Sequence, residues 1–151
     1  MTDHIPPDAD TLVTAHLLNQ SGLLVNKQGA SRHAIDSFER ACIAYKHVLG
    51  TDHPYTLSCR SNLASAYWSV GDLGRAIPLL EATLADRERV LGSDHPGTLA
   101  SRSNLAHAYQ AAGDLGRAIP LYEVTLADQE RVLGVDHPTT KVVRANLSAL
   151  R

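Results

Sequence analysis

The tripeptide Asp-His-Pro occurs three times in this chain, and successive copies are 42 residues apart. Each copy ends at a proline and follows a Leu-Gly pair, with one residue between them; the prolines are Pro54, Pro96 and Pro138. A fixed period of this size is typical of solenoids, in which each unit packs only on its neighbours. The period therefore predicts a repeat protein, whose function depends on an extended surface.

Two copies of the repeat, residues 57–98 and 99–140, align without a gap and differ at eleven of 42 positions. Each copy predicts two helices. The first helix begins at the Asp-His-Pro turn, where Asp and His can supply capping acceptors and where proline is tolerated. In the earlier copy it ends at Gly71, and a second helix follows an Asp72 N-cap and ends near Gly92. The pattern therefore predicts an all-α chain of antiparallel helix pairs.

The shared residues resemble the tetratricopeptide repeat. The matching positions are Leu63, Ala64, Tyr67, Gly71, Ala76, Leu80 and Thr83, which recur as Leu105, Ala106, Tyr109, Gly113, Ala118, Tyr122 and Thr125. The common period of that family is about 34 residues, and the longer unit resembles the repeats of kinesin light chains. The resemblance implies a right-handed superhelical solenoid whose first helices line a concave groove, and a non-enzymatic function in protein binding.

The predicted domain boundaries follow the period. They are residues 1–14 for a lead-in and the start of the first helix, 15–56 for a degenerate repeat 1, 57–98 for repeat 2, and 99–140 for repeat 3. Residues 141–151 match a first helix alone, so they form either a capping helix or the start of a fourth repeat in a longer array. In both cases Leu147 and Leu150 are expected to form a partly exposed apolar edge.

The charge and hydropathy of the chain exclude several classes of partner. A net charge of −2, from 14 basic and 16 acidic residues, gives no electrostatic reason to bind nucleic acid or a membrane surface. Apolar runs are shorter than the ~18 residues of a membrane span, and the first 14 residues lack signal-peptide features. A cytoplasmic location is therefore expected, in which Cys42 and Cys59 on adjacent helices are favoured as buried reduced thiols.

The recurring histidines at 53, 95 and 137 are the main candidates for chemistry. They occur once per repeat, and stacked helices lie ~8–10 Å apart, whereas zinc ligands must lie within ~2.0–2.3 Å of one ion. A structural role in the turn is therefore favoured over a metal site. The sequence has no phosphate loop, nucleophile elbow or HExxH motif. We expect neither cofactor nor catalytic residue.

Six of the eleven differences between the two copies fall in the first helix. In the earlier copy the varying positions include Ser58, Ser65, Trp68 and Ser69, whose spacing places them along one stripe. That stripe faces the groove in the fold that the repeats resemble, where a partly exposed Trp68 is a natural anchor for a partner. His107 and Gln110 are the counterparts of Ser65 and Trp68 in the later copy.

Invariant polar residues lie on the same face of the first helices. Ser61 and Asn62 recur as Ser103 and Asn104, and Asn146 with Gln20 extends the asparagines into a ladder. A side-chain amide both donates and accepts, which suits the backbone of an extended peptide. The alternative is that these amides bond the neighbouring repeat and only order the stack. The predicted peptide-binding residues are Gln20, Ser58, Ser61, Asn62, Ser65, Trp68, Ser69, Ser103, Asn104, His107, Gln110 and Asn146.

Arginines also keep the period, at Arg60, Arg102 and Arg144. They could bind a partner's carboxylate, but an ion pair with an acidic residue of a second helix, such as Asp86 or Asp128, is favoured.

The sequence thus predicts a scaffold that binds an extended peptide or protein segment of unknown identity in its groove. One alternative is a structural module that self-associates through the C-terminal edge with an empty groove. Another is the sensor fragment of a larger signalling ATPase.

Overall fold

A computed structural model describes residues 7–27 and 29–151 of the chain. The elements are α1 (Pro7–Lys27), α2 (Ser31–Leu49), α3 (Pro54–Ser69), α4 (Leu73–Leu91), α5 (Pro96–Ala111), α6 (Leu115–Val132) and α7 (Pro138–Ala149). No strand occurs in the described ranges, so the all-α prediction is confirmed. Residues 1–6 of the predicted lead-in lie outside the described residues.

Histidine side chains cap three helices at their N-termini. The Nδ1 atoms of His53, His95 and His137 accept hydrogen bonds from the backbone N–H groups two residues further on, at 3.1, 2.9 and 3.3 Å respectively. Proline is the first residue of each of these helices, where its missing N–H leaves no intrahelical bond unmade. The predicted role of the histidines in the turn is confirmed.

Glycines with positive φ follow six of the helices, 21 residues apart. They are Gly29, Gly50, Gly71, Gly92, Gly113 and Gly134, with φ between 79° and 96°. Other L residues rarely adopt this backbone conformation. Each 42-residue period therefore contains two chain reversals of equal spacing, which matches the predicted helix pairs.

The helices group into two compact units, Met1–Leu79 and Leu80–Arg151, and the boundary falls within α4. In the first unit, α2 packs against both α1 and α3. One buried cluster joins α2, α3 and the start of α4 through Phe38, Leu63, Tyr67 and Ala76. These include the repeat-frame positions identified from the sequence, so the frame residues form the core there.

Close approach between α1 and α2 depends on Gly22. A Cβ atom at this position would lie 2.8 Å from Cε1 of the Phe38 ring. One period later the same two positions are Ala64 and Leu80, both buried. In the first copy a larger side chain, Phe38 in place of leucine, is therefore accommodated by a smaller residue opposite it, Gly22 in place of alanine.

In the second unit, α6 packs against both α5 and α7, and Arg102 is almost fully buried at 7 % exposure. Its guanidinium bonds Asp128 at 2.6 Å and Glu88 at 3.2 Å. Arg144 forms a more exposed pair with Glu130 at 3.1 Å. The predicted ion pair with Asp128 is confirmed for Arg102, so this guanidinium is not available to a partner's carboxylate.

The expected apolar edge at Leu147 is wrong. Leu147 is only 4 % exposed and Leu150 is half-buried, because α7 packs against α6 and turns Leu147 inward. The exposed apolar side chain of this helix is instead Val142, at 58 %.

The two cysteines of the first unit face each other. Cys42 Sγ donates a hydrogen bond to Cys59 Sγ at 2.9 Å, and both are free thiols. The hydrogen bond with Cys59, together with burial, raises the pKa of Cys42. The Cys42 thiol therefore keeps its proton.

Candidate functional site

A pocket of about 490 Å³ opens between α5 and α7 in the second unit. Leu99 and Ala100 of α5 form one wall, and Val142 and Val143 of α7 form the other. Gln129 of α6 and Leu133, which caps the C-terminus of that helix, also line the pocket. No acidic residue, Lys or Arg lines the pocket. It can therefore receive an uncharged, largely apolar group.

Gln129 is the buried polar residue among those that line this pocket. The residue is 1 % exposed, and its Nε2 donates a weak hydrogen bond to Ser103 Oγ at 3.3 Å. Its Oε1 atom has no hydrogen-bond partner among the described residues. A buried acceptor without a partner costs about 1–3 kcal/mol. A ligand that offers a donor at this point would recover that free energy.

Ser103 and Asn104 are the predicted groove residues that the pocket brings together. Asn104 is exposed and lines the pocket without a hydrogen bond to any described residue. Both ends of its amide are therefore open to a ligand.

Two other predicted residues of the second unit, Gln110 and Asn146, form hydrogen bonds with a buried residue. The Tyr122 hydroxyl donates to Gln110 Oε1 at 2.8 Å. Burial raises the pKa of Tyr122, and a hydrogen bond with Asn146 opposes that rise. Gln110 and Asn146 therefore hold a buried tyrosine. His107 is exposed on α5 and does not line the pocket.

The remaining predicted residues lie in the first unit. Asn62 Nδ2 donates to Asn19 Oδ1 at 3.2 Å, which links α3 to α1. Asn62 is therefore hydrogen-bonded to Asn19. Gln20, which lies one period before Asn62, is exposed instead. Trp68 is half-buried.

The serines of this face mainly bond their own helix. Ser61 and Ser69 donate to the backbone carbonyls of Leu57 and Ser65, at 3.3 and 2.9 Å. Ser58 and Ser65 have exposed side chains.

The first unit fills the space that is open in the second. Two periods before Ala100, Gln129 and Thr139, the chain has His16, Tyr45 and Tyr55. The Tyr45 hydroxyl is hydrogen-bonded to His16 Nδ1 at 2.6 Å. The three rings contact one another, with centroids 5.2 to 6.0 Å apart. The pocket therefore exists because three aromatic side chains are replaced by smaller ones.

Gln129 is the functional candidate that the sequence does not identify. It is one of the eleven differences between the two copies, and Arg87 stands at the same position one period earlier. Arg87 donates to Ser101 Oγ at 2.6 Å. The signal in the sequence is this change from Arg to Gln in the second helix, outside the first-helix stripe on which the predicted site lies.

Among the side chains that the structure describes, those of residues 11–27 and 29–151, no three His, Cys, Asp or Glu groups are arranged to hold a metal ion. No described helix is long and apolar enough to cross a membrane.

Comparison with known proteins places these features among helical repeats. A model of the tetratricopeptide repeat family matches residues 12–88 and 62–130. Kinesin light chain-related protein 2 of Arabidopsis thaliana is 41 % identical over 71 residues, which are 47 % of this chain and 11 % of that protein. The chain therefore matches only about a tenth of its curated relative.

Solved structures resemble the chain over most of its length. A Podosopora anserina structure, described as having nearly identical kinesin light chain TPR-like repeats, has a TM-score of 0.81 and 30 % identity. That match covers 90 % of this chain and 65 % of the other. The TPR domain of Arabidopsis FLU has a TM-score of 0.69 at 19 % identity, over 83 % of this chain and 99 % of its own. The second likeness concerns the fold alone.

Proposed function

Because the chain belongs to the tetratricopeptide repeat family, a protein–protein interaction fold, we propose that it binds an extended peptide or protein segment along its first helices. One side chain of the partner enters the pocket between α5 and α7. The observation that carries this proposal is the buried, unpartnered Oε1 of Gln129, a residue that lines a largely apolar pocket.

The size and lining of the pocket favour an aromatic side chain. Ligand pockets commonly measure about 300–1,000 Å³ and combine apolar walls with a few polar groups, and this pocket has both features. In the first unit the same repeat positions hold tyrosine and histidine rings. A partner's aromatic ring would thus fill in the second unit the space that the rings of the chain itself fill in the first unit.

Hydrogen bonding distinguishes among aromatic side chains. Gln129 Oε1 can only accept, so it selects a ring that carries a donor. The phenol of tyrosine has such a donor at its far end, where it can reach Gln129. Phenylalanine has the same shape and lacks the donor, and it would leave the amide oxygen unpaired.

Asn104 complements the pocket at its edge. Its amide can donate to and accept from the backbone of the segment that carries the inserted ring. An extended peptide advances about 3.3–3.6 Å per residue, so neighbouring residues of the partner reach other first-helix side chains. In this arrangement the Asn104 amide binds the partner, whereas the Asn62 amide already donates a hydrogen bond to Asn19.

Two small probes test the chemistry of the pocket. We expect p-cresol to bind the wild-type protein more tightly than toluene, because only p-cresol can donate to Gln129 Oε1. Binding is followed by NMR titration of the Val142 and Val143 methyl groups. The matched variant Gln129→Leu removes the acceptor and should abolish the preference for p-cresol. Equal binding of both probes to the wild type would contradict the assigned role of Gln129.

Peptide selection tests the function itself. A displayed library of random decapeptides is selected in parallel on the wild type, on Asn104→Ala, and on a filled variant with Ala100→His, Gln129→Tyr and Thr139→Tyr. We expect tyrosine-containing peptides with the wild type and none with the filled variant. Binding of these peptides to Asn104→Ala should be about 2- to 13-fold weaker, because one hydrogen bond of about 0.5–1.5 kcal/mol is lost. Recovery of the same peptides on the filled variant would refute binding through the pocket.

A further inference from the structure

Both cysteines of the chain lie at one contact between α2 and α3 in the first unit. Cys42 Sγ is 2.9 Å from Cys59 Sγ and donates a hydrogen bond to it. A disulfide bond is about 2.05 Å long, so the two sulfur atoms need to approach by only about 1 Å to form one. The Cys59 thiol in turn donates to the backbone carbonyl of Phe38 at 3.6 Å. The two thiols therefore form a short hydrogen-bonded chain that ends on the backbone of α2.

The later repeats fill the same two positions without sulfur. The counterparts of Cys42 and Cys59 are, respectively, Leu84 with Ser101 in the next repeat and Leu126 with Val143 in the one after it. The repeat frame is therefore compatible with apolar or hydroxyl side chains at this contact. What the cysteine pair adds is a covalent bond that the other pairs cannot form.

A small pocket gives access to one of the two sulfurs. It measures about 250 Å³, lies beside the turn between α2 and α3, and is lined by Cys42 together with Lys46, Thr51 and Arg60. Cys42 is half-buried, whereas Cys59 is 0 % exposed. A molecule as small as hydrogen peroxide can therefore reach Cys42, while Cys59 is shielded from solvent.

We propose that Cys42 and Cys59 are a modification site, at which hydrogen peroxide converts the two thiols into a reversible disulfide. The Cys42 thiolate attacks one peroxide oxygen and the O–O bond breaks. The departing hydroxide takes up the proton that Cys42 has lost, which yields water and a sulfenic acid on Cys42.

The second step closes the bond between the two helices. The Cys59 sulfur attacks Cys42 Sγ, the S–O bond breaks, and hydroxide leaves as water with the proton of the Cys59 thiol. The two sulfurs lose two electrons in total, and the peroxide gains them. One dithiol and one hydrogen peroxide therefore give one disulfide and two waters.

The same contact sets the pace of this chemistry. The hydrogen bond with Cys59, followed by burial, raises the pKa of Cys42, and the charge of Arg60 opposes that rise. Because the thiolate is the nucleophile, the first step is slow at neutral pH. The pair is therefore suited to sustained exposure to peroxide, and not to rapid removal of it.

The disulfide would tie α2 to α3 across the turn between them. A cross-link of this kind removes conformations from the unfolded chain, and it keeps the two helices from separating locally. Oxidation removes both S–H donors without leaving the Phe38 carbonyl unpaired, because this carbonyl lies inside α2 and accepts from a helical N–H. We therefore expect oxidation to stabilise the first unit without rearranging it.

Mass spectrometry after prolonged treatment with hydrogen peroxide tests the modification. We expect the wild type to lose two hydrogen atoms, to yield a peptide pair joined through Cys42 and Cys59, and to recover both thiols with dithiothreitol. The matched control, Cys42→Leu with Cys59→Val, copies the residues of the third repeat and should stay folded without forming the cross-link. Thiols that remain free in the wild type while added glutathione is fully oxidised, or a cross-link that forms only between chains, would overturn the proposal.

Two single variants test the order of the steps. Cys59→Ser should accumulate a sulfenic acid on Cys42, trapped with dimedone, because no second thiol is present to displace hydroxide. Cys42→Leu should leave Cys59 unlabelled, since Cys59 is shielded from solvent. Dimedone labelling of Cys59 in that variant would contradict entry of the peroxide at Cys42.

Hydrogen exchange tests the effect on the fold. Amides of residues 43–58 should exchange at least about tenfold more slowly in the oxidised wild type than in the reduced one. The double variant, given the same treatment, should show no difference. Equal exchange in oxidised and reduced wild type would refute the stabilising role of the disulfide.

Discussion

Between α1 and α3 the first unit holds the rings of His16, Tyr45 and Tyr55, whereas the same repeat positions between α5 and α7 hold Ala100, Gln129 and Thr139. The helices and their turns are alike in both places. In the first unit the side chains use this space to stabilise the fold, and in the second they leave it open with an unpaired acceptor on a lining residue. One repeat frame thus supports either a packed cluster or an open pocket, according to three side chains.

The largest expected change in the free energy of unfolding comes from removing a ring of the aromatic cluster in the first unit. Tyr45→Ala should lower the free energy of unfolding by about 3–5 kcal/mol, because it removes a fully buried aromatic ring. Its counterpart Gln129→Ala should cost about 1 kcal/mol or less, since it removes one long hydrogen bond and also an unpaired oxygen. Urea unfolding followed by circular dichroism measures both. Equal costs would mean that the two sites do not differ in packing.

A smaller effect is expected where α1 approaches α2. Gly22→Ala should destabilise the protein by about 1–3 kcal/mol, because its Cβ would overlap the Phe38 ring, although alanine is the better helix former by about 1 kcal/mol. Fluorescence of Trp68, the only Trp of the chain, reports unfolding of this unit. In a Phe38→Leu background, which copies the next repeat, the same substitution should lose its penalty. A persistent penalty there would show that the ring is not the obstacle.

Filling the pocket between α5 and α7 with aromatic side chains should convert it into a packed cluster like that of the first unit. Ala100→His, Gln129→Tyr and Thr139→Tyr together should raise stability by about 0.5–1.5 kcal/mol, which is the contribution of an aromatic pair beyond its buried area. Thermal unfolding measures the gain, and loss of p-cresol binding shows closure of the pocket. A destabilised variant that still binds p-cresol would mean that the two sites differ in backbone as well as side chains.

The smallest effects separate two members of the asparagine ladder. Asn62→Ala should cost about 0.5–1 kcal/mol through loss of its bond to Asn19. Asn104→Ala should change stability by less than about 0.5 kcal/mol, because its amide has no partner to lose. Denaturation midpoints of the two variants provide the comparison. A larger cost for Asn104→Ala would identify it as a stacking residue and remove it from the binding site.

The fold could be predicted because its determinants are local and repeated. The histidine cap, the proline after it and a glycine such as Gly71 act through the backbone within a few residues. The ion pair of Arg102 with Asp128 could also be predicted, since a buried guanidinium needs a carboxylate on the helix packed against it.

The residues of the candidate site could be predicted only in part. Ser103 and Asn104 were identifiable because they lie on one helix face and recur with the period. Gln129 becomes a candidate because the small side chains of Ala100 and Thr139, on two other helices, leave a volume empty beside it. The spacing of residues along the sequence does not reveal this combined volume. Leu147 was mistaken for an edge residue because the rotation of α7 against α6 decides which of its apolar residues faces inward.

The dependence of the pocket on three positions has a consequence for how such chains diversify. A tandem duplication copies the 42-residue frame together with its stability, and afterwards a few substitutions can open or close a cavity in one copy while the other copy keeps the molecule folded. Binding specificity can then change one residue at a time. An engineer could use the same route, and move the pocket to another repeat by exchanging three side chains rather than by redesigning the backbone.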